Sequence, residues 1–148
     1  MSKVQLKLEH PVGNVEFVEV DPDNDLMIDE NNLEAEACRQ IQLMVEYGRI
    51  WSVTKSASLA ADGEIKITEA IVAAAFRQDC AKMGKKVTEG AITEHVQSHP
   101  DYIQAIQSRV NASVIAALTY SWWATVQQRA EMLKLIGYRQ NTEIKYGE

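Results

Sequence analysis

The chain has 148 residues, of which 46% are apolar, and a formal net charge of −6. This is the size and composition of one ordinary globular domain. No run of about 18 apolar residues occurs, which excludes a predicted membrane-spanning helix. The two cysteines, Cys38 and Cys80, lack the spacing of a disulfide framework or a zinc site. Because the start also lacks the apolar core of a signal peptide, we expect a cytoplasmic protein.

The negative charge is concentrated near the N-terminus. Residues 1–37 contain two Lys or Arg and ten Asp or Glu, a formal charge of −8, whereas residues 38–148 carry +2. The overall charge of −6 argues against nucleic acid as a ligand. That argument does not apply to residues 38–148, because their own net charge is slightly positive. Any nucleic-acid surface is therefore expected after residue 37.

The first predicted element is a β-hairpin over residues 3–20. Residues 10–14, HPVGN, supply turn chemistry between two predicted strands. An isolated two-stranded hairpin is marginally stable in water. It is therefore expected either to pack on the helices or to extend a sheet made with other subunits, and we assign residues 1–24 to an N-terminal β-hairpin arm. The apolar residues on which this prediction rests are Val4, Leu6 and Leu8, then Val15, Phe17 and Val20.

Helical patterns occupy the rest of the chain, residues 25–148. After a polar linker, Asp29, Asn31 and Asn32 are each predicted as possible caps of a first long helix. That helix starts at about Asn32, and its apolar residues recur at three- and four-residue spacing. Gly63 is expected to end that helix after about 30 residues, or roughly 45 Å. A second helix is expected over about residues 66–83, with Gly84 as its stop.

A short helix and another long helix complete the pattern. Thr88 is the predicted N-cap of the short helix, which is expected to end near Ser98. Pro100 suits the first turn of the last helix, and Gly137 is expected to end it after about 37 residues, or roughly 55 Å. Two helices of this length cannot bury both faces in a small monomer. The predicted fold is therefore mainly α, a long antiparallel helical hairpin with short helices and the N-terminal β-hairpin, assembling as a homo-oligomer.

Residue patterns of catalysis and cofactor binding are weak in this sequence. No phosphate-cradling glycine loop or nucleophile–base set is evident. His95 and His99 have the spacing of a helical metal pair, but a third ligand on the same face is missing. The carboxylates between Asp21 and Asp29 lack the glycine and terminal Glu of an EF-hand loop, so a solvated linker is the better interpretation. We therefore expect no cofactor, no metal and no enzymatic activity.

Two sets of basic residues are the candidates for contact with DNA phosphates. Either set alone is typical of a solvated face, but an oligomeric ring repeats the patch on every subunit, so that weak contacts combine. The adjacent Trp122 and Trp123 point about 100° apart on a helix. One is expected in the core, and the other either at a subunit interface or stacked on unpaired bases. The first basic set is Arg77, Lys82, Lys85 and Lys86, and the second is Arg129, Lys134 and Arg139.

The order of these elements resembles that of phage recombination mediators of the UvsY type. That family has an early Ile-Asp-x-x-x-Leu element, a long helix, a basic second helix and a last long helix that ends in spaced basic residues. The likeness covers roughly residues 26–140. The matching segments are Ile28–Leu33, Arg77–Lys86, Pro100–Tyr102 and the positions Arg129, Lys134–Ile136 and Arg139.

The resemblance implies a non-enzymatic homo-oligomer, with a ring expected, that binds single-stranded DNA. Such proteins help load a RecA-like recombinase onto strands covered by single-strand binding protein. On this reading both basic sets are DNA contacts, and residues 25–148 are a helical oligomerisation and DNA-binding domain. The chain differs from the family in its opening hairpin and more acidic charge. The alternative is a non-enzymatic phage structural or adaptor protein that binds a protein partner through the hairpin by strand addition.

Overall fold

The computed structural model describes residues 3–10 and 12–147. The protein is mainly helical with an N-terminal antiparallel two-strand hairpin, as the sequence predicts. None of its described helices combines the length and apolar character needed to cross a membrane. The elements in chain order are β1 (Val4–Glu9), β2 (Val15–Val20), α1 (Pro22–Asp25), α2 (Leu33–Lys82), α3 (Glu89–Ser98) and α4 (Pro100–Tyr146).

The chain divides into two compact units, to both of which α2 and α4 contribute residues. Unit 1 consists of residues 1–54 and 116–148, and unit 2 consists of residues 55–115. The predicted division between residues 24 and 25 stays a prediction, but the hairpin lies within unit 1 and shares its core.

The hairpin packs its apolar face on the helices of unit 1, which is the first of the two arrangements expected for it. Strand β1 pairs with β2 in a register that sets Val4 opposite Val20. The alternation of side chains leaves Phe17 on the outer face, 65% exposed. In the turn, the His10 N–H donates to the Asn14 carbonyl at 2.9 Å, while Pro11 lies outside the described residues. The shared core consists of Leu6, Leu8, Val20, Leu43, Tyr47, Ile50 and Val126.

Helix α2 does not end at Gly63, so the prediction of two separate helices before Gly84 was wrong. A glycine usually ends a helix by adopting a left-handed backbone with positive φ. Gly63 has no positive φ, whereas Gly84 has a φ of 67° and does end α2. An internal glycine costs only about 1 kcal/mol relative to alanine, and Ala60, Ala61 and Glu64 near Gly63 are good helix formers.

The same reason explains why α4 does not end at Gly137. Gly137 has no positive φ, and the helix continues past it to Tyr146, so its prediction as a stop was also wrong. Of the three residues predicted as possible caps of α2, Asn32 is the one that caps it, and the predicted cap Thr88 of α3 is confirmed. The Asn32 side chain accepts the Ala35 N–H at 3.4 Å, and the Thr88 side chain accepts the Ala91 N–H at 3.3 Å.

Helices α2 and α4 run antiparallel within unit 1. The Gln40 side chain donates to the Val126 carbonyl at 2.7 Å, and the Thr54 and Thr119 hydroxyls lie 2.6 Å apart. The buried positions of α2 alternate in spacing between four and three residues, which is the seven-residue repeat of a coiled-coil seam. These positions are Glu36, Gln40, Leu43, Tyr47, Ile50 and Thr54.

Unit 2 has a small core of its own. After Gly84 the chain reverses, and α3 packs back on the end of α2 through Ile92 and Val96. The partners on α2 are Val72 and Ala73. This reversal brings the end of α2, the whole of α3 and the first turn of α4 together.

Packing of the hairpin can be tested with one buried and one exposed side chain. Leu8 has no exposed surface, so we expect Leu8→Ala to lower the free energy of unfolding by about 2–5 kcal/mol. The matched control Phe17→Ala, on the outer face, should change it by less than about 0.5 kcal/mol. Urea unfolding followed by circular dichroism measures both. Equal losses for the two variants would contradict this packing of the hairpin.

Candidate nucleic-acid interface

The first basic set lies together in unit 2, where α2 ends and the chain turns into α3. We call its members, Arg77, Lys82, Lys85 and Lys86, the basic end of α2. All four side chains are exposed. Gly84 produces the turn: its own N–H donates to the Ala81 carbonyl and the N–H of Lys85 donates to the Cys80 carbonyl, both at 3.0 Å. The backbone is therefore fixed beneath these side chains.

Two of these cations have carboxylate partners. The Lys82 ammonium lies 3.8 Å from Asp79, and the Arg77 guanidinium lies 3.2 Å from Glu89. Exposed pairs of this kind contribute about 0–1 kcal/mol, so a phosphate competes well with either carboxylate. Within the described part of the chain, Lys85 and Lys86 have no ion-pair partner.

The charges of the two units differ. Unit 2 has seven Lys or Arg and seven Asp or Glu, so it is formally neutral. Unit 1 has the remaining eight Lys or Arg and fourteen Asp or Glu, and it carries the whole net charge of −6. The electrostatic objection to a polyanionic ligand therefore applies to unit 1 and not to the unit that contains the basic end of α2.

Arg129, from the second basic set, is buried in unit 1. Its side chain is 2% exposed and pairs with the Glu36 carboxylate. The guanidinium also donates to the Gln40 side chain at 2.8 Å and to the Met27 carbonyl at 3.0 Å. A guanidinium enclosed in this way cannot reach a DNA phosphate. We therefore correct the sequence-based set by removing Arg129.

The other two members of the second set are exposed but paired. The Lys134 ammonium lies 2.7 Å from Glu131, and that hydrogen bond raises the pKa of Lys134. Arg139 lies 2.6 Å from Glu30. Both lie in the negatively charged unit, so they are weaker candidates than the basic end of α2.

Glu36 shows how the buried pair is balanced. Burial alone works to raise the pKa of this carboxyl, but the Asp29 N–H, at 3.2 Å, and the Arg129 guanidinium outweigh it. The pKa of Glu36 therefore lies below its usual value. The ionised carboxylate and the guanidinium hold each other inside the core.

The acidic linker is anchored to α2 at two points. Asp25 accepts a hydrogen bond from the Tyr47 hydroxyl at 2.9 Å, and the Arg39 guanidinium lies 3.2 Å from it. Burial and the bond to Asp25 raise the pKa of Tyr47. Asp29, as described above, donates its N–H to Glu36. Across residues 3–10 and 12–147, no group of three or more His, Cys, Asp or Glu has the geometry to hold a metal ion.

The two tryptophans both lie against the core of unit 1. The Trp122 ring meets the Tyr47 ring edge-on at 6.4 Å. Trp123 lies over Gly48, where an added Cβ would approach its ring to 3.3 Å. Both tryptophans pack against that core and keep some exposed surface, and the expected contact of one of them with another subunit or with unpaired bases stays a prediction.

The two histidines pack on rings in unit 2. The His95 ring stacks on Phe76 with centroids 4.1 Å apart, and the His99 ring lies 5.8 Å from His95. The stacked His95 ring helps to cover the Phe76 side of the unit 2 core.

Comparison of the chain with protein-family models, with curated proteins and with solved structures found no match.

The buried role of Arg129 can be tested by its removal. Arg129→Met leaves the Glu36 carboxylate buried without its partner, so we expect a loss of about 3–5 kcal/mol in the free energy of unfolding. The control Lys134→Met, at an exposed pair, should leave the free energy of unfolding nearly unchanged. Urea unfolding near neutral pH measures both variants. If Arg129→Met left the stability unchanged and weakened DNA binding, Arg129 would again be a candidate DNA contact.

The depressed pKa of Glu36 predicts a loss of stability in acid. Its stabilising contribution is fully present above the pKa of the unfolded chain, near 4.5, and is lost as the pH falls through the folded-state pKa. We therefore expect Glu36→Gln to be less stable near neutral pH and to show a flatter decline below about pH 4.5. Thermal unfolding midpoints between about pH 3 and pH 7 test this. Parallel curves for the two proteins would contradict it.

Proposed function

We propose that the protein is a non-enzymatic recombination mediator that binds single-stranded DNA as a homo-oligomer. In this role it helps load a RecA-like recombinase onto strands covered by single-strand binding protein. The observation that carries the proposal is the basic end of α2, four exposed cations in a unit without net negative charge. The likeness of the spaced basic residues to those of phage mediators supplies the recombination context, although the separate basic second helix of that family is here the end of one continuous helix, α2.

Binding at this site would proceed by neutralisation of backbone phosphates. Each phosphate contact on a single strand lowers the slope of log affinity against log salt by about 0.7, so four contacts give a slope of about −3 per subunit. Such binding is tolerant of sequence and sensitive to salt. One subunit alone binds weakly, and an oligomer gains affinity because its patches act at high effective concentration.

Exposed apolar residues on the helices support self-association. In unit 1, Ile41 and Val45 lie one turn apart on α2, and both are exposed. In unit 2, Val110 and Val114 form a similar exposed pair on α4. Contiguous apolar surface of this kind marks protein contact sites, and we infer that neighbouring copies of the chain cover it.

The outer face of the hairpin favours a second candidate, the phage structural or adaptor protein. Val15 and Phe17 are exposed there, and within the described residues β1 pairs only with β2. A partner strand could therefore add to a free edge. Deletion of residues 1–24 is a poor test because it also removes Leu8 from the core. The double substitution Val15→Lys and Phe17→Lys changes only the outer face.

The test of the mediator proposal is binding to a labelled single strand at low and moderate salt. We expect the triple variant Lys82→Ala, Lys85→Ala and Lys86→Ala to lower affinity more than about tenfold and to reduce the salt slope by about two. A charge-matched control removes three other exposed lysines, Lys3, Lys7 and Lys145. The control should bind as the parent protein does, because only its net charge changes.

The same proteins test the loading activity. The parent chain should speed assembly of a RecA-like recombinase on strands covered by single-strand binding protein, and the triple variant should not. Light scattering should give a mass above that of one chain. Absence of binding at low salt, or binding indifferent to the triple change, overturns the mediator proposal. Loss of a protein partner in the Val15 and Phe17 double variant, with no DNA binding by the parent, selects the adaptor.

A further inference from the structure

A groove in unit 2 adjoins the basic end of α2. It encloses about 410 Å³ between α2, α3 and the first turn of α4, within the roughly 300–1,000 Å³ typical of ligand pockets. Arg77 belongs both to the groove lining and to the basic end of α2. The lining also includes Lys66, Thr93, Gln97 and Tyr102.

We propose that this groove accepts an unpaired base of single-stranded DNA, which stacks on Tyr102. The inference rests on the proposed function and deepens it, because it adds a base site to the phosphate contacts. It also gives a physical basis for preferring single strands, since a base inside a duplex is stacked and paired and cannot enter.

Tyr102 has the properties of a stacking platform. Its ring is half-buried and packs against the core of unit 2, which holds it in place. Within the described residues, its ring has no aromatic neighbour and its hydroxyl has no hydrogen-bond partner. Phe76 packs on the same core but is covered by the His95 ring at 4.1 Å. Tyr102 is therefore the ring of this core that lines the groove and can receive a base.

The ion pair between Arg77 and Glu89 lies at the groove. Glu89 is another lining residue, and its carboxylate oxygens lie 3.2 and 3.4 Å from the Arg77 guanidinium. The two side chains are 52% and 84% exposed, so water screens their attraction and the pair is weak. A phosphate can accept the guanidinium in the same two-bond geometry. Glu89 therefore competes with the DNA backbone for Arg77.

Charge in the groove favours a base over a bare polyanion. Lys66 and Arg77 are opposed by Glu69 and Glu89 in the lining, which leaves it formally neutral. Lys66 and Arg77 lie three helical turns apart, about 16 Å, on one face of α2. Amide and hydroxyl groups, such as those of Gln97 and Thr93, can hydrogen-bond the edge of a base. Phosphates are attracted by the basic end of α2, and the neutral groove receives the base.

The experiment compares affinity for single and double strands. We expect Tyr102→Leu to lower affinity for a single strand about tenfold and to leave duplex affinity unchanged. Tyr102→Phe should retain parental affinity because the ring remains. The matched control Tyr138→Leu, at an exposed position of unit 1, should have no effect. Circular dichroism verifies that each variant is folded.

Two further measurements test the stacked base and the Arg77–Glu89 pair separately. A strand that carries 2-aminopurine should lose fluorescence on binding the parent chain, because stacking quenches this base, and should lose less with Tyr102→Leu. Glu89→Gln frees Arg77 and should tighten single-strand binding about two- to fivefold. Equal quenching by the parent and Tyr102→Leu overturns the base site, and no gain from Glu89→Gln overturns the competition between Glu89 and the DNA backbone for Arg77.

Failure of this inference can be told from failure of the proposed function. Suppose that the triple lysine variant loses binding while Tyr102→Leu and Glu89→Gln bind as the parent protein does. This result overturns the base site in the groove and supports the mediator proposal. Absence of any binding at low salt removes both. A change of oligomer mass in Tyr102→Leu without a change in affinity assigns the groove to a second copy of the chain and overturns the base site.

Discussion

The buried contact between Arg129 and Glu36 sets the register of unit 1. Arg129 on α4 binds the carboxylate in the first turn of α2, the Gln40 side chain one turn later and the Met27 carbonyl before the helix. Sliding α4 by one turn would leave both ions buried without a partner. A charge buried in this way is costly, so the pair opposes any shift of α4 along α2. The hairpin packs on the helices that this contact aligns, as the core position of Leu8 shows.

Local signals predicted the local structure. The hairpin alternation, the side chains of Asn32 and Thr88 at helix starts and Gly84 at a helix end each depend on a few neighbouring residues. Gly63 and Gly137 failed as stops because an internal glycine costs only about 1 kcal/mol and neither glycine adopts the positive φ that ends a helix. Sequence near a glycine does not contain that information.

The basic residues of the candidate site could be predicted from the sequence, but Tyr102 could not. The clustered charges from Arg77 to Lys86 needed only a helix and a turn to come together. Tyr102 was not recognised as part of that surface, because its proximity depends on α3 folding back on α2. Arg129 was misjudged because a lone charge on a helix is usually solvated. One signal was present: it follows buried Val126 by three residues, in the spacing of the seam.

The close approach of Gly48 and Trp123 has a consequence for how the sequence can vary. A Cβ at position 48 would lie 3.3 Å from the indole, tighter than ordinary contact, so the ring must give way to any larger residue. Alanine would gain about 1 kcal/mol of helix propensity there, yet the chain retains glycine. We therefore expect positions 48 and 123 to covary among related sequences. A larger residue at one position should be accompanied by a smaller ring or side chain at the other.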